Sequence, residues 1–218
     1  MLKIRASQVG KIMTSSRSKG DVLSKTAKSY LEQLAKEELL GVRTEFSSKY
    51  TDKGNIVEDE AIALVEKVKC EGLFLYKNEE HFSNDYVTGT PDVLTNDFLI
   101  DVKSSWNVDT FPMFDKELKN KDYYYQLQAY MWLTGKVESH LCYCLVNTPK
   151  FIIKAEVRKL HKPRYSDIKA IILKHKFNAD TEKRRVKSFK VELDIEVIGQ
   201  IKERIEVCRE YYNNLING

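Results

Sequence analysis

Apolar residues recur along this chain in two rhythms, and the changes from one to the other mark its elements. Leu31, Leu34, Ala35 and Leu39 fall at helical spacing. A helix is therefore predicted from Ser24-Lys25-Thr26-Ala27 to about Leu40, closed by Gly41. A second helical stripe follows a Ser-, Thr- and Lys-rich connection over 42–53 and comprises Ile56, Val57, Ala61, Leu64 and Val65. Residues 73–76 and 79–87 read as strands. Val93-Leu94 and Phe98-Leu99-Ile100 flank the turn residues Thr95-Asn96-Asp97, which is the pattern of a β-hairpin. Helical spacing returns from about Asp122 to Thr134 and ends at Gly135. Ser139 to Val146 reads as a strand, 150–160 as either strand or helix with helix favoured, 188–194 as a strand and 195–216 as a long closing helix. Near the start, Ser7 is placed to cap a short helix carrying Val9, Ile12 and Met13. There is no repeat, low-complexity tract or linker, and strands and helices interleave. The expectation is one α/β domain over residues 1–218.

Composition narrows the function without naming it. The chain is 42% hydrophobic and 31% charged, ordinary for a globular protein. Its 36 basic and 32 acidic residues leave a net charge of +4, too small to announce a nucleic-acid binder, so charge placement has to carry that argument. Cys70, Cys142, Cys144 and Cys208 form no CxxC pair, and Cys142 and Cys144 read as reduced core residues of a strand. The four histidines are scattered, against a His-rich zinc site. No signal-peptide core and no bilayer-length apolar run is present. The expectation is a cytoplasmic protein of a bacterial or phage-infected cell, with no membrane partner.

The chemistry concentrates at 89–105. Asp92 precedes the hairpin turn and Asp101 lies on the returning strand, with Lys103 two residues further on. Side chains alternate along a strand, so Asp101 and Lys103 share a face and Val102 takes the other. Two carboxylates converging beside an ammonium suit a hard divalent cation, which prefers oxygen ligands.

Pro91-Asp92 followed by Asp101-Val102-Lys103 resembles the PD-(D/E)XK nuclease signature. Two further segments extend the likeness to the phage lambda exonuclease and YqaJ group. Upstream, Gly54-Asn55-Ile56-Val57-Glu58-Asp59-Glu60-Ala61 matches a G-x-x-x-E-x-x-A helix start, with Glu58 at the acidic position and Asp59 and Glu60 as competing acids. Downstream, Gln126 and Tyr130 match a Q-x-x-x-Y helix and lie on one helical face. The resemblance implies a restriction-endonuclease-like core, a central mixed β-sheet flanked by helices. It implies one or two Mg²⁺ or Mn²⁺ ions held by Asp92, Asp101, the Val102 carbonyl and Glu58. It further implies that Lys103 orients the attacking water, that Gln126 positions water or phosphate, and that Tyr130 supports the site. The absence of a four-cysteine cluster departs from the CRISPR-associated relatives.

Candidate DNA contacts follow from position. Ser7 caps its helix or meets a phosphate. Lambda-type enzymes use an arginine further upstream for the 5′-phosphate. The chain starts too late to supply it in that way, so Arg5 or another basic residue substitutes, or the preference differs. The polar loop 15–21 is solvated or touches DNA. Ser104, Ser105 and Trp106 follow the catalytic lysine, where the family has its cleft mouth; Trp106 reads equally as core. Phe111, Pro112, Met113 and Phe114 are expected to pack down rather than to wedge into DNA. The basic run over 162–190 peaks at Lys183, Arg184, Arg185 and Lys187, which track phosphates or face solvent.

The function expected from this set is a metal-dependent DNA nuclease. The leading form is a phage-type 5′→3′ exonuclease that degrades one strand of linear duplex DNA in recombination. A single-strand annealing partner and a homotrimer come with that resemblance. A monomeric RecB-like nuclease acting on single-stranded or branched DNA is the alternative. A catalytically inactive DNA-binding module is the non-enzymatic one, and the intact Asp92, Asp101 and Lys103 set argues against it.

Overall fold

In a computed structural model of the protein, residues 1–18, 20–43 and 48–218 are described. Lys19 of the polar loop and residues 44–47 of the expected connection lie outside them. The chain opens with β1 (Ile4–Arg5), a 3-10 turn (Ala6–Gln8) and the short α1 (Val9–Ile12). α2 (Lys25–Leu40) starts where Ser24 Oγ accepts the Ala27 N–H at 3.0 Å and stops at Gly41, whose φ of 64° only glycine adopts cheaply. Ala27, Leu31 and Ala35 form its buried stripe; Leu39 runs past the core and is exposed.

The next stretch departs from the sequence pattern. Its single expected helix is two: α3 (Lys49–Ile56), capped by Ser48, and α4 (Glu58–Lys69). The break falls at Val57, and Ile56, counted in the apolar stripe, is exposed. Gly54 lies inside α3 rather than ahead of a helix. Residues 73–76 form no strand, and this stretch joins the sheet only at one bridge, Lys77 to Val93. The expected 79–87 strand resolves into β2 (Phe82–Ser83) and β3 (Val87–Gly89).

β4 (Val93–Leu94) and β5 (Leu99–Ser104) form the expected hairpin, pairing Val93 with Ile100 and Leu94 with Leu99. α5 (Lys121–Thr134), capped by Asn120, crosses to β6 (Glu138–Cys144), which lies parallel to β5. α6 (Lys150–Arg158) falls on the 150–160 helix. α7 (Tyr165–His175) was hidden by the basic run. β7 (Val186–Glu192) begins two residues earlier than its pattern suggested, and α8 (Ile195–Asn217) closes the chain.

The fold is mixed α/β, with strands divided between two sheets rather than gathered in one. A small sheet has the order β1-β3-β2; the main sheet runs β4-β5-β6-β7, with only its central β5–β6 pair parallel. Both faces of the main sheet are covered. Leu99 and Leu141 pack with Leu127 and Met131 of α5, while Ile100, Val102, Cys142 and Cys144 pack with Ala61, Ile62 and Val65 of α4. A two-residue period on β5 therefore sends Asp101 and Lys103 toward α5 and Val102 toward α4. Two close approaches tighten the α5 side. A Cβ on Gly10 would lie 2.6 Å from Asp122 Cα, and one on Gly89 would lie 2.8 Å from the Tyr130 ring. Both positions need the bare glycine. Cys142, Cys144 and Cys208 are buried free thiols, and among the described residues no helix is long and apolar enough to cross a membrane.

Candidate active site

The hairpin brings the two acids together. Asp92 Oδ2 accepts the Val102 N–H at 2.6 Å, which ties the chain before the turn to the returning strand. The Asn78 N–H donates to the Asp92 carbonyl at 2.8 Å and braces the same point from the edge. Asp101 is buried. Its Oδ1 accepts from Gln126 Nε2 at 3.1 Å. Its Oδ2 lies 2.6 Å from the Lys103 ammonium yet takes no well-directed hydrogen bond. Gln126 also donates to the Tyr130 hydroxyl at 3.1 Å, so the four-residue spacing on α5 delivers both groups to the acids.

Around these groups lies a hollow of about 390 Å³. It is lined by Ser7, Glu58, Asp92, Val102, Lys103, Ser104 and Gln126, and by Tyr50, Thr51, Gly54 and Asn55 of α3.

Burial, and then Asp101, push the Asp92 carboxyl up to about 7, against the pull of Lys103 and the Val102 N–H. Burial also raises Asp101, against Lys103. Burial draws Lys103 down, but Asp101 and Asp92 outweigh it and hold the ammonium above the usual lysine range. Without a bound ion, the two acids thus hold Lys103 as the ammonium. The two carboxylates are charged at a cost that a divalent cation between them would remove.

The donors present fit such an ion. They are carboxylate and carbonyl oxygens, and no thiol or imidazole lines the hollow. Among the described residues no three His, Cys, Asp or Glu side chains form a ready-made cage.

Glu58 opens α4 at the rim of the hollow, its carboxylate paired with Lys77. Glu60 turns toward a separate hollow with Asn147 and Lys176, and Asp59 is exposed. Ser7 caps nothing, since no side chain caps either short N-terminal helix, and it lines the active-site hollow instead. Ser104 lines it too.

Several expected DNA contacts are not brought there. Arg5 sits on β1 beside a different hollow with Lys3, Glu37 and Tyr212. Ser105 is buried. Trp106 is core, edge-on to Tyr50 at 5.1 Å and to His175 at 5.4 Å. The basic cluster separates. Lys183 and Arg184 are exposed on a 3-10 turn packed against α4. Arg185 is buried and donates to the Leu145 carbonyl at 3.2 Å. Lys187 shares a register row with Tyr143 and Lys103 and so faces the active-site side of the sheet. The 111–114 segment does not wholly pack down, for Phe114 is 89% exposed.

The α3 wall and Lys77 were missed. Lys77 has no sequence signal beyond its place just after the expected 73–76 strand. The wall has none, because its inward positions are polar.

No protein-family model and no curated protein matches the chain. Among solved structures, a phage-related exonuclease from Haemophilus somnus 129PT is 32% identical, with 99% of this chain and 96% of that one covered and a TM-score of 0.82. The alkaline exonuclease LHK-Exo of Laribacter hongkongensis, represented by two structures, one of them in complex with dAMP, is 17% identical. It has TM-scores of 0.66 and 0.65, with 99% of this chain and 90% of that one covered, which shows a shared fold. With Glu58, Asp92, Lys103 and Gln126 lining one hollow, Asp101 held against Lys103 and Gln126, and a near-full-length relative at 32% identity, the chain belongs to the phage-related exonuclease family.

Proposed function

We propose that this exonuclease is divalent-metal-dependent and degrades one strand of linear duplex DNA in the 5′→3′ direction, in the cytoplasm, as a step of recombination. The observation that carries the metal dependence is the Asp92–Asp101–Lys103 cluster, two costly carboxylates around one fixed ammonium. Asp92, Asp101 and the Val102 carbonyl would hold one ion, with Glu58 at a second position. When bound, such an ion lowers the pKa of water and offsets charge on the phosphoryl oxygens. Lys103 donates to the phosphoryl group as its charge grows. Gln126 keeps Asp101 oriented, and Tyr130 keeps Gln126 oriented. Ser7 and Ser104 offer hydroxyl donors to phosphate from the walls of the hollow. LHK-Exo has been solved with dAMP, a deoxynucleoside monophosphate, which supports mononucleotide release here. A ring-shaped homotrimer and an annealing partner protein complete the reading.

The test uses 5′- or 3′-labelled linear duplex, nicked circles and closed circles, with Mg²⁺ or with excess chelator. Loss of the 5′ label as mononucleotide, on linear DNA and only with metal, supports the proposal. Cutting of closed circles supports an endonuclease, and cleavage in chelator refutes metal dependence. A light-scattering mass of three chains supports the ring, and a mass of one chain refutes it.

Glu58→Gln is expected to lower the cleavage rate by about 10²-fold, while Asp59→Asn and Glu60→Gln stay near wild type, because only Glu58 lines the hollow. Equal losses in the three purified variants would assign the acid wrongly.

Lys187→Ala should reduce the log–log salt slope of DNA affinity by roughly 0.7 to 0.9, one phosphate contact, whereas the Lys183→Ala, Arg184→Ala double variant leaves it unchanged. The reverse pattern, read from binding isotherms at several salt concentrations, would put the DNA on the α4 side of the sheet.

A further inference from the structure

Among the described residues of α3, Lys53 alone is buried, and it is fully so. Its ammonium donates to the carbonyls of Ser105 at 2.7 Å and Trp106 at 2.9 Å, with the Val146 carbonyl at 3.4 Å. Those carbonyls lie where the chain leaves the two parallel strands β5 and β6. Among the described residues no carboxylate stands within ion-pair distance of it. Burial pulls its pKa down to about 8, with Glu60 pulling the other way. A lysine buried without a carboxylate is uncommon, since an apolar side chain would fill the space at lower cost. What the ammonium adds is direction, three donors aimed at three fixed acceptors.

The opposite side of the same helix is functional. Tyr50, Thr51, Gly54 and Asn55, at helical spacing, form a wall of the hollow that Lys103 and Ser104 also line. One residue, Val57, separates α3 from Glu58. Among the residues of α3 the wall buries no aliphatic side chain. Beyond Lys53 it is held by Tyr50 against Trp106 and by Lys49, 4.6 Å above the Trp106 ring and paired with Glu156.

We propose that Lys53 is a positioning residue of the nuclease site: its three main-chain contacts pin α3, and with it the cleft wall and the turn into Glu58, to the chain leaving Lys103. The proposal rests on the nuclease reading only in taking this hollow as the reacting site.

The test compares wild type with Lys53→Met, which keeps the length and removes the donors. Amide exchange by mass spectrometry is read without DNA. The expected result is at least about tenfold faster exchange over residues 49–57, with β5, β6 and α8 unchanged. Single-turnover cleavage at saturating DNA and Mg²⁺ is expected to fall by roughly 30- to 100-fold, while DNA affinity changes by less than about threefold. Lys53→Gln, which restores N–H donors without charge, is expected to recover part of both. Unchanged exchange over 49–57 overturns the proposal. So does a lower melting temperature with an unaltered cleavage rate per folded molecule, the mark of a purely structural role. If Lys53→Met does not fold, Lys53→Gln against wild type decides by the same two readings. If wild type itself leaves DNA intact, the nuclease reading fails, and the exchange result still decides whether Lys53 pins α3.

Discussion

Asp92→Asn is expected to raise the melting temperature of the metal-free protein at pH 7.5 or so while lowering DNA degradation by about 10³-fold or more; Asp101→Asn is expected to lower both. The two acids are equivalent as ligands and unlike as structural groups. Asp92 is held up at about 7 by burial and by Asp101. A folded-state value above the unfolded one contributes stability below the unfolded value of 3.8, and that contribution is lost as pH rises through about 7. Above pH 7 the metal-free fold therefore carries an unfavourable charge, and Asn removes it. A gain of roughly 2–4 °C would correspond to about 1 kcal/mol in a chain of this size.

Burial raises Asp101 as well, but Asp101 is also the close partner of Lys103 at 2.6 Å, and that pairing outweighs the relief of removing its charge. Removing its charge strands an ammonium. The cost is about 1–3 kcal/mol, less than for a fully buried pair because Lys103 keeps some contact with solvent. Mg²⁺ should raise the wild-type melting temperature and leave both variants nearly unmoved. Thermal melts with and without Mg²⁺, beside a linear-duplex assay, check all of this. A stabilising Asp101→Asn, or an Mg²⁺ response that survives Asp92→Asn, would show that the cluster is not the ion's site.

The acids and the lysine were legible because their geometry is local. A hairpin turn between Asp92 and Asp101 folds one onto the other, and the two-residue period of β5 does the rest. Gln126 and Tyr130 were legible for the same reason, at one helical turn. What the sequence hid depends on packing between distant segments. Trp106 reads as core or cleft until Tyr50 and His175 close over it. The run from Lys183 to Lys187 is one charge cluster along the chain and three environments in space, since a turn, a buried guanidinium and a strand follow one another within five residues. Arg5 is near Ser7 in sequence, but β1 directs it to another hollow. Of the two missed helices, α7 and α3, only α3 lines the site. Its inward residue is a lysine and its outward face is polar, so no apolar stripe exists to announce it.

Lys103→Met is expected to lower the single-turnover rate at saturating DNA by about 10²- to 10³-fold, and no rise in pH should restore it. Burial favours the neutral amine, but Asp101 and Asp92 prevail and keep the group protonated above the ordinary lysine range. Lys103 is therefore expected to serve as charge and donor over the assayed pH range, and the wild-type profile should have no alkaline limb from it. Its acid limb belongs to the Asp92–Asp101 pair, since protons compete with the ion for the same oxygens. That limb should lie near 7 when Mg²⁺ is scarce and move to lower pH as Mg²⁺ is added. In Lys103→Met both acids lose the cation that lowers them, so the acid limb should move upward at the same Mg²⁺ concentration. Lys103→Arg keeps the charge but swaps a compact ammonium for a longer planar group, and should recover only part of the rate. Rates measured from about pH 6 to 9 at two Mg²⁺ concentrations separate the cases. An alkaline limb present in wild type and absent in Lys103→Met would identify Lys103 as a titrating base and overturn its assignment as a fixed cation.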